Sequence, residues 1–542
     1  MKAKRVLFSL SVISSCWLSG ASAFSQPPAD PAPIRAPDAA RIDPAAAQPP
    51  ALTASQARRV EAFQQRVHQT KQALVAYEVG RQEEAIEACR AAGLEIVEIY
   101  GPGNLLVCKW QQPAAIARAA ISLDQHPSIR RIDPNVVMQL DPAEMQAVNA
   151  AAVAQGRMMG AFYGGVQAQP RTPNDPRFGD LLGMTNARAP EAWGRVQTTK
   201  VIVAVSDTGI DYNHQDLKDN MWVNPFEIPG DGLDNDGNGY VDDVHGINAI
   251  TGTGDPMDDN SHGTHCAGTI GAVGNNHVGV AGVCWKVQLM GCKWIAGSGS
   301  GTVLDAIKSI DYAWQNNAKI ISASWRFTEP RSVMGSLREA IDRARVAGVV
   351  FVAAAGNENY DIDLRVEGGQ PAAYPAGFAH PSDTAGFASN MIVVASIDAP
   401  TETRSSFSVW GRKTVHLAAV GRNVLSTVPG NGYAFFNGTS MATPHVAGAC
   451  ALLLGHRDFD NADVRGIKGR LLSNSRRLPG LKNLIATEGA LDLTFLGKGH
   501  DDCVPLCPCW PPCPPCYPCY PPCPTWHYWP PCPPWAPYPR PW

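Results

Sequence analysis

The spacing of apolar residues changes character twice along the chain. Between 73 and 140, short alternating runs predict strands at Ala73–Val79, Leu94–Tyr100, Leu105–Trp110 and Ile129–Gln139. Two helical periods, Glu83–Ala92 and Ala114–Leu123, separate them. The order β-α-β-β-α-β is that of a split βαβ unit. From 173 to 498 the strands become continuous apolar runs: Val201–Val205, Val287–Met290, Lys319–Ala323, Val349–Ala353 and Met391–Ala395. Helical periods at Val303–Asn316 and Ser336–Ala347 lie between them. Strands that are apolar on both faces and alternate with helices predict a parallel sheet covered on both sides. The expected fold class is therefore α/β, preceded by a small α+β domain. In such sheets the functional loops stand at the carboxyl ends of the strands.

Outside these regions the pattern fails. Residues 24–50 contain 8 Pro and 8 Ala and cannot bury a core, so 24–72 reads as a spacer followed by a helix near Gln56–Lys71. Residues 141–172, rich in Ala, Gly, Gln and Met, read as a linker. Residues 500–542 hold 17 of the 45 Pro and 8 of the 15 Cys, so 499–542 forms a compositionally separate tail. Its Cys503, Cys507, Cys509, Cys513, Cys516, Cys519, Cys523 and Cys532 privilege no ligand pairing. Disulfide cross-linking or surface adhesion, a zinc cluster, and low complexity without function all stay open for it.

The 542 residues allow three or four domains at about 150 residues each. A net charge of -4 argues against a nucleic-acid-binding protein. The basic start Met1–Arg5, an apolar run to Gly20 and Ala21-Ser22-Ala23 form a signal peptide over 1–23. Ile13-Ser14-Ser15-Cys16 offers a second route, lipid anchoring at Cys16. Both take the chain out of the cytoplasm, to a secreted or surface-attached location.

Three segments carry chemistry. Val201–Asp211 ends an apolar strand on Asp207. Ser261-His262-Gly-Thr-His265-Cys266 opens a small-residue helix on His262, and Asn437-Gly-Thr-Ser440 opens another on Ser440. A serine hydroxyl becomes a nucleophile when an imidazole takes its proton and a buried carboxylate orients that imidazole. With these motifs in this order the chain resembles the subtilisin-like serine protease (subtilase) family over 173–498. The resemblance implies that Asp207 orients, His262 is general base and acid, and Ser440 attacks. It implies that Asn357, in Ala353-Ala-Ala-Gly356-Asn357, donates to the oxyanion together with the Ser440 N–H. It implies that a peptide substrate binds as an added strand between Gly299-Ser300-Gly301 and Ser324-Trp325-Arg326, near Gly356. Arg326 stands where the family usually has Gly, on the wall of the pocket for the side chain before the scissile bond. An inward Arg there predicts a preference for small or acidic residues; an Arg turned to solvent leaves the pocket open. Cys266 matches the proteinase K-like and thermitase-like branches and reads as a buried free thiol, with a structural disulfide as the alternative.

Acids at alternate positions in Asp231–Asp243 suggest calcium. Asp234, Asp236 and Asn238 take positions 1, 3 and 5 of an EF-hand-like loop, with the Tyr240 carbonyl at 7 and Asp243, or Asp242 in its place, completing the shell. A second site follows from resemblance. Asn275–Val280 looks like the subtilase calcium loop, with Asp175, Asp216, Asn276 and the carbonyls of Gly274, Val278 and Val280 as ligands. The same resemblance makes 73–140 a propeptide that assists folding and inhibits the site, with autocleavage between about 138 and 172. The implied function is a secreted, calcium-stabilised serine endopeptidase made as a zymogen, acting on protein or peptide substrates. A weakly active homologue that binds peptides, or a surface adhesion protein whose tail is the function, are the rival readings.

Overall fold

The small unit comes first in the chain and explains its own burial pattern. In the computed structural model, which describes residues 70–110, 119–120, 122–145, 169–383, 387–456 and 463–497, its strands are Gln72–Tyr77, Glu95–Tyr100, Leu105–Lys109 and Ile129–Pro134. They form an antiparallel sheet in which Gln72–Tyr77 lies between Leu105–Lys109 and Ile129–Pro134. Ala73, Val75 and Tyr77 point to one face and pack with Ala85, Ile86 and Cys89 of the helix Gln82–Ala91. Leu74 and Ala76, on the opposite face, belong to the core of the large domain. Period-two alternation therefore places one strand in two cores. Residues 119, 120 and 122–124 are helical; the rest of the helix expected at Ala114–Leu123 lies outside the described residues. So do residues 1–69, 146–168 and 498–542, which hold the signal peptide, the spacer and its helix, most of the linker and the Cys-rich tail.

The strand expected over Ile129–Gln139 is two strands. Pro134 has no N–H to donate, and Asn135 and Val136 leave the ladder. The chain re-enters strand at Val137–Gln139 and pairs antiparallel with Ser300–Thr302 of the large domain. The break places two acceptors over helix starts. Leu304 N–H donates to Asn135 Oδ1 (3.0 Å), and Val303 N–H donates to the Val136 carbonyl (3.0 Å), at the start of Val303–Gln315. Asp133 does the same for Gly335–Val346, accepting from the Ser336 N–H and Oγ, both at 2.7 Å. Helix N-termini leave N–H groups unsatisfied, and a carboxylate there also favours the dipole. Around them Arg131 bridges Asp133 (2.8 Å) and Glu339 (2.7 Å), and Tyr100 donates to Asp311 (3.0 Å). Asp133→Ala is expected to destabilise the full chain by about 2 kcal/mol, because it removes a buried charged acceptor while Arg131 keeps Glu339. Urea unfolding reads this; an unshifted midpoint would mean that the cap carries no weight.

The large domain is built on a mainly parallel sheet. Its central order is Leu417–Val420, Met391–Asp398, Val350–Ala354, Ile320–Ala323, Thr198–Asp207, Lys286–Lys293 and Gly246–Asn248. All six contacts between these neighbours are parallel. Short antiparallel pieces, Thr403–Arg404 and Arg476–Arg477, attach near one side. The five apolar runs read from the sequence are all strands of this sheet: three are extended by a residue or more, Lys319–Ala323 begins one residue later, and Val349–Ala353 is shifted by one residue to Val350–Ala354. The helix Thr439–Gly455 is buried from Thr439 to Leu453 and packs against the sheet. A helix with no polar face has to lie in a core, and Ser440 enters the site on it.

Candidate active site

The three residues expected to form the triad stand where elements begin or end. Asp207 is the last residue of its strand, His262 the first of His262–Gly271 and Ser440 the second of Thr439–Gly455. All three are buried. His262 Nδ1 lies 2.7 Å from Asp207 Oδ1, which also accepts the Thr208 N–H (2.7 Å). That contact fixes Nδ1 as the donor, and Nε2 stands 3.1 Å from Glu144 Oε2. Ser440 Oγ donates to the Ser324 carbonyl (3.0 Å), and Ser324 Oγ donates back to the Ser440 carbonyl (2.9 Å).

Several positioning groups escaped the sequence reading. Asp258 accepts from Thr208 Oγ1 (2.8 Å), the Ser261 N–H (3.1 Å) and the Thr264 N–H (3.0 Å). It thereby ties the start of the His262 helix to the end of the Asp207 strand. Thr439 orients Asn357: its N–H and Oγ1 both donate to Asn357 Oδ1, each at 2.9 Å. The amide nitrogen of Asn357 is therefore turned into the site. The turn needs Gly356, whose φ of +113° disfavours a side chain.

Of the two expected substrate edges, the first is occupied. Gln139 pairs with Ser300 and Met138 with Gly301, and the Gly299 carbonyl accepts the Leu140 N–H (2.8 Å). Among the described residues, Val137–Gln139 pairs with that edge alone. On the second edge the Trp325 side chain is buried away from the cleft, donating to the Ser206 carbonyl (2.8 Å) and packing on Trp294. Arg326 folds inward, with its side chain 13% exposed. It pairs with Glu358, and its Nη1 is 3.8 Å from Glu144 Oε1. Burial would lower the guanidinium pKa, but Glu358 and Glu144 outweigh it and hold it charged. Glu144 itself also contacts His262 and Asn357. Cys266 is a buried free thiol whose Sγ is 3.5 Å from the Ser440 carbonyl, and burial raises its pKa well above the usual thiol value.

The acidic loop gathers a different ligand set from the one its spacing suggests. Asp234 accepts the N–H groups of Gly237 (2.8 Å), Asn238 (3.1 Å) and Gly239 (2.9 Å), as the EF-hand-like turn requires. Glu227, Asp234 and Asp236 place carboxylate oxygens within 4.8 Å of one another. Asp243 is drawn off instead by Asn224, Asn238 and Tyr312, and the Tyr240 ring packs on Tyr312. Glu227 is buried and its Oε2 has no hydrogen-bond partner among the described residues. Three converging carboxylates with an orphaned buried oxygen suit a hard cation. In the second loop, Asp216 accepts the Val280 N–H (2.9 Å) and Asn276 Nδ2 (2.8 Å), and Asp175 accepts the Asn275 N–H (2.7 Å). Burial, with a contribution from Asp175, pushes the Asp216 carboxyl up to about 6. A cation would relieve that cost. The Val278 N–H donates to Asn276 Oδ1 (2.8 Å), and the Gly274 N–H reaches the Trp285 carbonyl (3.3 Å).

Asp207 ending a strand of a parallel α/β sheet, His262 and Ser440 opening helices and the Asn357 amide beside them make an arrangement of the subtilisin type. The Subtilase family profile matches residues 198–491, more than half of the chain, and the chain belongs to that family. It is 37% identical over 312 residues to Subtilisin-like protease 1 of Plasmodium falciparum, covering 55% of this chain and 43% of that protein. It is 37% identical over 283 residues to Thermitase of Thermoactinomyces vulgaris, covering 52% of this chain and 85% of that protein. It is 36% identical over 272 residues to Alkaline elastase YaB of Bacillus sp., covering 50% and 59%. The chain spans about half the length of the first curated relatives it matches. No helix among the described residues is long and apolar enough to cross a membrane.

Proposed function

We propose that the chain is a secreted serine endopeptidase made as a zymogen and stabilised by calcium. The observation that carries the reading is the convergence of Asp207, His262, Ser440 and Asn357 beside an edge that already holds an antiparallel strand. His262 Nε2 would take the Ser440 proton as Oγ attacks the peptide carbonyl, and Asp207 would stabilise the imidazolium. Asn357 Nδ2 and the Ser440 N–H would bind the oxyanion. His262 would then protonate the leaving amine, and water would release the acyl group by the reverse sequence. The small domain, docked on two helix starts with its exit strand on Ser300–Thr302, suits an inhibitory propeptide.

Glu227, Asp234 and Asp236 would hold one calcium ion, and Asp175, Asp216 and Asn276 with nearby carbonyls a second. The ions would supply positive charge to buried carboxylates. Labelling of the secreted protein by a fluorophosphonate probe, with N-terminal sequencing of the labelled band, tests the reading. An unlabelled, correctly folded protein would leave a peptide-binding homologue as the better account.

Specificity follows from Arg326. Its inward pose narrows the pocket before the scissile bond, and Glu358 offsets part of its charge. Small and acidic residues should be preferred there. Arg326→Gly should raise kcat/KM for substrates with Phe or Tyr at that position by about tenfold or more. A peptide library decides the matter: fastest cleavage after Phe, Tyr or Leu in the unmodified enzyme, with no change on substitution, removes Arg326 from specificity.

A further inference from the structure

Glu144 has no part in the chemistry above, yet its side chain is only 2% exposed and lies among the catalytic groups. Its Oε1 accepts from Asn357 Nδ2. Its Oε2 is 3.1 Å from His262 Nε2, and Arg326 Nη1 stands 3.8 Å from Oε1. The main chain is held as well. The Glu144 N–H donates to the Asp141 carbonyl (3.0 Å), the Ala143 N–H to Asp141 Oδ1 (2.9 Å), and the Glu144 carbonyl accepts the Asn437 N–H (2.9 Å). Gly438 leaves the room: a Cβ there would stand 3.0 Å from the Glu144 carboxyl carbon.

Both principal donors are ones the reaction needs for something else. Asn357 Nδ2 should meet the oxyanion, and His262 Nε2 should receive the Ser440 proton. A carboxylate bridging the two takes both. A cleavable strand would run extended past Ser440. This segment instead turns at Pro142–Met145 and presents a side chain there. We propose that Glu144 is an intramolecular carboxylate latch, which closes the oxyanion site and the catalytic imidazole of the uncleaved chain and must leave before activation. The activation part rests on the peptidase reading; the latch contact does not.

The charges facing the latch are mixed. His262 and Arg326 attract it, while Asp207 behind the imidazole, Glu358 on Arg326 and Asp141 in its own turn oppose it. His265, on the same helix as His262, is pushed down to about 3 by burial, with a smaller contribution from His262, and carries no charge at neutral pH. Burial alone would lower the His262 pKa, but Asp207 and Glu144 outweigh it and raise it to about 10. The docked state thus holds a proton that the undocked imidazole holds less tightly. Docking is favoured below the titration of the free imidazole and is lost as pH rises toward about 10, so raising the pH releases the latch.

The test uses the full chain. In Ser440→Ala, where processing is blocked, the His262 imidazole is titrated by histidine-selective NMR with and without E144Q. The midpoint should fall by at least about one pH unit in E144Q and stay high in E144D, which keeps the charge. With Ser440 intact, fluorophosphonate labelling of the unprocessed band should rise about tenfold in E144Q and E144A. An unchanged His262 midpoint in E144Q overturns the latch, whatever the enzyme does to peptides. Failure of the peptidase reading looks different: no variant labels, processed or not, while the difference in titration remains.

Discussion

Ser440→Ala is expected to lower peptide hydrolysis by about 10⁴-fold or more and to leave the chain at its full secreted length. Triad members act as a unit, so removing one of them leaves only what binding and the oxyanion donors supply. In the proposed mechanism those donors would be Asn357 Nδ2, whose amide Thr439 holds, and the Ser440 N–H, which survives the substitution. The fold should tolerate the change, because Ser440 Oγ makes one bond, to the Ser324 carbonyl. Loss of a single neutral hydrogen bond costs about 1 kcal/mol. The measurement is kcat/KM on a peptide substrate beside the mass of the secreted product. A mature-sized product from Ser440→Ala, made without added protease, would falsify self-processing while leaving the hydrolytic assignment to be judged by kcat/KM.

The placement of Asp207, His262 and Ser440 at element ends was legible in the sequence because local patterns carry it. An apolar strand ending on Asp207 and two small-residue helices opening on His262 and Ser440 are local patterns. The central strands were legible for a related reason: a strand buried on both faces has to be apolar throughout. What escaped depends on contacts remote in sequence. Glu144 meets Asn357 across 213 positions and His262 across 118. Its only local signal is an acid in an Ala- and Met-rich stretch. The break after Pro134 was missed because apolar periodicity carries across it, although a proline without an N–H was visible there. Glu227 lay outside the EF-hand-like template, and it approaches Asp234 and Asp236 because the loop folds back over its own start. Asp243 fitted the spacing but is taken by Tyr312, which no spacing rule includes.

That last difference would make the proposed calcium dependence sensitive to single residues. A ligand that binds only the folded state stabilises it by mass action, about 2.7 kcal/mol at a free concentration one hundred times its dissociation constant. For a domain of this size chelation should therefore lower the thermal inactivation temperature by about 5 °C or more. Glu227→Gln keeps the side chain's volume and its capacity to accept from the Asn235 and Asp236 N–H groups, yet removes the charge from the cluster. It should lower the inactivation temperature in calcium and reduce the further loss caused by chelator. Asp243→Asn should behave otherwise. Asp243 accepts from Asn224, Asn238 and Tyr312, and its loss disturbs a buried network whether or not an ion is bound. Its inactivation temperature should fall by a similar amount with and without chelator. Inactivation curves for the three proteins, each with calcium and with chelator, separate the two roles. A full chelator response in Glu227→Gln with none in Asp243→Asn would return the ligand to Asp243. No response in the unmodified protein would remove calcium from both loops.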